Sequence, residues 1–161
     1  MIALYRGISA TSRVIEWFTH GAYSHAAWVC ADGTVVSALA GQGVIRTPDL
    51  DAAHTDGTPI EIYSVPGVDY ARADAWAATQ LGKPYDYRGL FGYLTRKDYQ
   101  NPAAWFCSEY VFQIVRAGGV ELLARVESWQ VVPTLLACSP LMVADMCRKT
   151  FDPSRYRLQF A

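Results

Sequence analysis

Two residues in this sequence have the types and settings that nucleophilic acyl chemistry requires. They are Cys107, in Trp105-Phe106-Cys107-Ser108-Glu109-Tyr110-Val111, and His25, in Tyr23-Ser24-His25-Ala26-Ala27-Trp28-Val29. A thiol attacks an acyl carbon as the thiolate, so it needs an imidazole to take its proton or a helix N-terminus to steady its charge. The imidazole needs a polar neighbour that fixes its tautomer and orientation. His25 opens a stretch that reads as a strand, where a ring can project from a rigid sheet into a cleft. Alternation puts His25, Ala27 and Val29 on one face and Ala26, Trp28 and Cys30 on the other, so Cys30 reads as a core thiol, not as the partner of His25. Taken alone, Cys107 shares a helical face with Val111 and Ile114 and also reads as a core thiol, because free cysteine is among the most buried residue types.

The elements that must position these two residues follow from periodicity and turn chemistry. Residues 1–7 alternate weakly and read as a short strand, and 12–19 read as a short helix stopped by Gly21. Residues 25–30 and 34–38 form a hairpin about Asp32-Gly33, with further strands at 41–47 and 59–65. A helix is predicted over 69–81, with Ala71, Ala75, Ala78 and Leu81 along its apolar side and Gly82 at its end. A second spans 106–117 and ends at Gly118-Gly119. Its start is open: Asn101-Pro102 as cap and first position would place Cys107 well inside the helix, whereas a start at Trp105 or Phe106 would place it in the first turn. Residues 128–146 read as helical, interrupted by Pro133 and Pro140, and 156–160 as a last strand. Together these predict one α+β domain over residues 1–161, a small antiparallel sheet packed against helices.

In order and spacing, the chain resembles the circularly permuted branch of the NlpC-type cell-wall endopeptidases, a papain-like family to which lecithin-retinol acyltransferase relatives are also related. The resemblance rests on Leu4-Tyr5-Arg6-Gly7, on Ser24-His25-Ala26-Ala27-Trp28-Val29 with Asp32-Gly33, Val35-Val36-Ser37-Ala38 and Gly43-Val44, on Gly82-Lys83-Pro84-Tyr85, and on Cys107-Ser108-Glu109. It covers about residues 2 to 118 and implies a papain-like cysteine hydrolase with Cys107 as nucleophile and His25 as general base. Tyr85 matches a tyrosine that lies near the nucleophile and helps the oxyanion. Ser37 stands where the family usually carries His, Glu, Gln or Asn to orient the base. A serine hydroxyl can accept an imidazole N–H but brings no charge, and Gln42 on the same hairpin is the second choice. The implied reaction cleaves an amide in a cell-wall stem peptide or related short peptide through a Cys acyl-enzyme. The alternatives are an acyltransferase or thioesterase acting on lipid-like acyl groups, and a non-catalytic binding or assembly module of the same fold.

Composition removes other classes. Hydrophobic residues make up 52% of the 161 and charged residues 18%, which argues against disorder. A net charge of −1 with no basic run gives no reason to expect a nucleic acid partner. No apolar run approaches the ~18 residues of a membrane span. No secretion signal is visible, so the chain is expected in the cytoplasm or exported by a route the sequence does not display. Cys30, Cys107, Cys138 and Cys147 include no CxxC pair and read as free thiols, so no metal and no cofactor is expected. Asp49, Asp51 and Asp56 lack the pattern of a calcium loop. His20 reads as a helix end and His54 as solvated in a polar loop. Glu109 is expected to point away from Cys107 in a structural role. The aromatics Trp17, Phe18, Tyr85, Tyr87, Phe91, Tyr93, Trp105 and Phe106 line a groove or belong to the core. Nothing in the sequence sets an oligomeric state.

Overall fold

A computed structural model of the chain describes residues 1–7, 21–52, 54–87 and 103–148. Six strands form one antiparallel sheet in the order β4-β3-β2-β1-β5-β6. They are β1 (Ile2–Tyr5), β2 (His25–Val29), β3 (Val35–Leu39), β4 (Gly43–Thr47), β5 (Ile60–Ser64) and β6 (Val143–Arg148). The two central strands, β1 and β2, are buried along their whole length. Alternate residues therefore feed two separate clusters. Ile2, Leu4, Ala26, Trp28, Val36, Ala38 and Val44 pack against the helices. Ala3, Tyr5, Ala27, Val29, Val35, Ile60 and Ile62 fill the other face, with Leu50 from the loop after β4.

Helix α1 (Tyr70–Ala78) begins where the Asp69 carboxylate accepts the Arg72 backbone N–H at 3.0 Å. It buries Ala73 and Ala77, while Ala71, Ala75 and Ala78 are exposed, so the expected apolar side is corrected. Alanines occur all round this helix, and the face is chosen by what meets it. Gly118 closes against Ala73, and the Tyr110 hydroxyl donates to the Ala77 carbonyl at 2.9 Å.

Helix α2 (Cys107–Ala117) starts at Cys107 itself, with Phe106 as N-cap, which settles the open start in favour of the first turn. It packs on β2 and β3 and buries Cys107 through Phe112, Ile114 and Val115. Gly118 caps it, and Gly119 turns the chain with φ of 91°.

The segment read as helical over 128–146 is corrected. It holds a single 3-10 turn (Ser128–Gln130), a short helix α3 (Pro133–Ala137) and then β6, which pairs with β5. Pro133 sits in the first turn of α3, where its missing N–H costs nothing, so it opens a helix and does not interrupt one. The helix expected at 12–19, His20, Asn101-Pro102, the strand at 156–160 and the aromatics Trp17, Phe18, Phe91 and Tyr93 lie outside the described residues. Among the described residues no helix is long and apolar enough to cross a membrane.

Candidate active site

His25 and the body of α2 lie on opposite faces of the sheet, because α2 covers the face carrying Ala26 and Trp28. No hydrogen bond joins His25 to Cys107, but the ladder leaves a gap between the two faces near both. Val29 donates its backbone N–H to Met1 O at 2.7 Å and its carbonyl accepts from the Met1 nitrogen at 2.7 Å. By the alternation of an antiparallel pair, residues 25, 27 and 29 turn their backbone groups toward β1 and residues 26, 28 and 30 toward β3. The rungs between β2 and β3 are Trp28–Val36 and Val29–Val35, and they stop there. The Ala26 N–H is the next group on that side, and it points at the sulfur of Cys107. The first residue of α2 therefore sits where β2 and β3 part, one position along the chain from His25. The backbone N–H groups of Cys107 and Ser108 also favour negative charge on the sulfur.

The rest of the Cys-Ser-Glu motif holds this start in place. The Ser108 hydroxyl donates to Val131 O at 2.6 Å, and the Ser128 hydroxyl donates to Glu109 Oε1 at 3.1 Å. Glu109 thus has the structural role expected of it. The segment after α2, to which the sequence assigned no role, forms the floor under the helix start.

Tyr85 arrives on a strap laid along β4. Val44 N–H donates to Lys83 O at 2.8 Å and Gly82 N–H to Val44 O at 2.9 Å, while Trp105 N–H donates to Pro84 O at 3.1 Å. Gly43 lets the strap lie close: a Cβ there would stand 2.4 Å from Lys83 O. The Tyr85 ring lies 5.8 Å from Phe106 and 4.9 Å from Tyr87. Burial, and then the charge Cys107 would carry, push its hydroxyl pKa upward.

Neither Ser37 nor Gln42 bonds to Nε2 of His25. His25 is buried, and its Nε2 has no hydrogen-bond partner. Ser37 is buried in β3 opposite Ile45 of β4. Gln42 is exposed in the turn after β3, its backbone N–H donating to Leu39 O at 3.0 Å.

His54, expected in solvent, is corrected. It is half-buried and stacks on Tyr5 with centroids 3.9 Å apart, and it lies 5.0 Å from the His25 ring. Tyr5 is 5.4 Å from His25. Sequence reasoning could have found Tyr5, since it is the direct cross-strand neighbour of His25. Nothing local marks His54, whose loop looks like any polar turn. At the same end of the sheet, Glu61 accepts from the Tyr23 hydroxyl at 2.5 Å and the Tyr63 hydroxyl at 2.8 Å, and pairs with Arg6 at 2.8 Å.

The electrostatics correct a second expectation. Burial pushes the Cys107 thiol up to about 12, against the pull of the backbone N–H groups. Burial first, and then His54, lower His25 well below the ordinary imidazole range. Burial brings His54 down to about 4. Burial therefore disfavours both the thiolate of Cys107 and the imidazolium of His25, because the sulfur is fully covered. Cys30, Cys107 and Cys138 are free thiols, and burial raises Cys30 to about 11.

No protein-family model matches the chain, and no curated protein matches it. Among solved structures, metalloprotein yiiX of Escherichia coli O157:H7, described as DUF1105, aligns over 91% of this chain and 95% of that one, with a TM-score of 0.69 and 20% identity. At that identity the likeness concerns the fold alone.

Proposed function

We propose that the chain is a papain-like cysteine hydrolase that cleaves an amide bond through an acyl-enzyme on Cys107. The observation that carries this reading is the break between β2 and β3, where the first residue of a helix presents its sulfur to a backbone N–H beside His25. A sulfur at a helix start, flanked by backbone N–H groups, one of them on the residue after His25, has the setting of a nucleophile.

The chemistry follows from neutral partners. Nε2 of His25 has no hydrogen-bond partner, and this reading gives the proton transfer from the thiol to Nδ1. As a substrate carbonyl enters, the Cys107 proton passes to Nδ1 and the sulfur bonds to the carbonyl carbon. The backbone N–H groups at the helix start and the Tyr85 hydroxyl receive the developing oxyanion. The C–N bond breaks, the amine leaves with the proton from His25, and a thioester remains. Water then attacks, giving its proton to His25; the C–S bond breaks, the acid departs and the thiol regains its proton. The same thioester could pass its acyl group to an amine or alcohol in place of water.

The stem-peptide class of substrate rests on the sequence resemblance. The solved neighbour is called a metalloprotein, but among the described residues no three His, Cys, Asp or Glu side chains converge. No step is therefore routed through a metal. The full burial of Cys107 favours a second reading, a binding or assembly module that keeps the fold without the reaction.

A panel of short peptides, including cell-wall stem-peptide fragments, separates the two readings. Mass spectrometry should find a fragment pair from at least one peptide, lost in Cys107→Ala and in His25→Ala. Cleavage that persists unchanged in Cys107→Ala, or no cleavage of any peptide, supports the module.

A further inference from the structure

A buried nitrogen without a partner is rare in a folded protein. Nε2 of His25 is such an atom. Its situation worsens during the proposed reaction, on which this inference rests. When Nδ1 takes the thiol proton the ring becomes an imidazolium, and its buried Nε2–H then needs an acceptor.

Among the described residues, Tyr5 and His54 are the rings set against His25, and Asp49 and Asp51 are near enough to act on Tyr5. The Tyr5 hydroxyl donates to Leu50 O at 3.1 Å, which fixes that ring as a wall. Ser37 and Gln42 do not reach Nε2. His54 is the described side chain with free ring nitrogens against His25, held flat on Tyr5 by a 26° stack and tilted 50° to His25. Imidazole rings with centroids 5.0 Å apart bring edge atoms to about a hydrogen-bond length (~3 Å) after a small rotation. Burial keeps His54 neutral at pH 7, so one of its nitrogens offers a lone pair.

We propose that His54 is the positioning residue of this site, accepting the Nε2–H of His25 when the base is charged and filling from a loop the role that the sequence resemblance gives to the β3 position of Ser37.

The test uses the full chain and p-nitrophenyl acetate as acyl donor, reading the rate at which Cys107 is acetylated near neutral pH. His54→Phe keeps the ring stacked on Tyr5 but removes both nitrogens; His54→Gln restores an acceptor. The expected result is that His54→Phe slows acetylation about tenfold, that His54→Gln recovers to within about threefold of the native rate, and that Ser37→Ala leaves it unchanged. A native rate in His54→Phe overturns the proposal, as does an equal loss in His54→Phe and His54→Gln, which would mark a packing role. His25→Ala distinguishes the levels. If it abolishes acetylation while His54→Phe does not, the base stands and the role of His54 falls. If it changes nothing, the base itself is wrong and the assignment of His54 falls with it.

Discussion

At Ala26, the backbone N–H that an unbroken ladder would give to β3 meets a sulfur instead. That local exchange favours charge on the sulfur. The pull of nearby N–H groups on the sulfur is outweighed by burial, so activation must be concerted with substrate entry and cannot be stored as a resting ion pair. Iodoacetamide near pH 7 should therefore modify exposed Cys138 faster than Cys107 in the native protein, and peptide mapping after a short exposure checks the order. The two histidines make a second prediction. Both bind a proton in the unfolded chain near pH 6.5, yet His54 resists it down to about 4 in the folded chain and His25 is also lowered. Below 6.5 the unfolded state binds more protons, so their stabilising effect is complete above that pH and is lost as the pH falls toward 4. The slope is up to about 1.4 kcal/mol per pH unit for each group. Denaturant midpoints across this range should fall with pH, and His54→Phe should flatten the fall.

Among the elements, the strap from Gly82 to Tyr85 and the hairpin beneath it are joined at Gly43. A side chain there would press on the Lys83 carbonyl, and the backbone is already at φ of 76°. Gly43→Ala should cost roughly 2 kcal/mol in urea unfolding and should slow acylation further by shifting Tyr85. Asp74 of α1 ties that helix to the β2 hairpin, accepting from Trp28 Nε1 at 2.6 Å and from Ala31 N at 2.9 Å. Asp74→Ala should cost about 2 kcal/mol, read as a lowered urea midpoint. These elements were partly legible from sequence. The strands at 25–30 and 34–38, the Asp32-Gly33 turn and the end of α2 at Gly118-Gly119 carry strong local signals, and they appear where periodicity puts them. The face of α1 was misread because alanine marks no side. β6 was missed because its partner β5 is far away in sequence, and pairing, not propensity, makes it a strand.

For the whole molecule, the sheet is a partition with a breach. One face packs on the helices, the other holds Tyr5, His25 and Leu50, and the first residue of α2 lies where β2 leaves β3. Motif order in the sequence indicated Cys107, His25 and Tyr85; Cys107 opens α2 and His25 opens β2. The identity of the group that steadies the base was not legible, since it depends on a loop folding back across the face, and no spacing rule encodes that. The most direct measurement of the central claim is acid quenching of the native protein seconds after mixing with p-nitrophenyl acetate, followed by peptide mapping. The expected result is one acetyl group held as a thioester on the Cys107 peptide, absent in His25→Ala and decaying as the native protein turns over. An unmodified Cys107 peptide, or equal acetylation with and without His25, would contradict it.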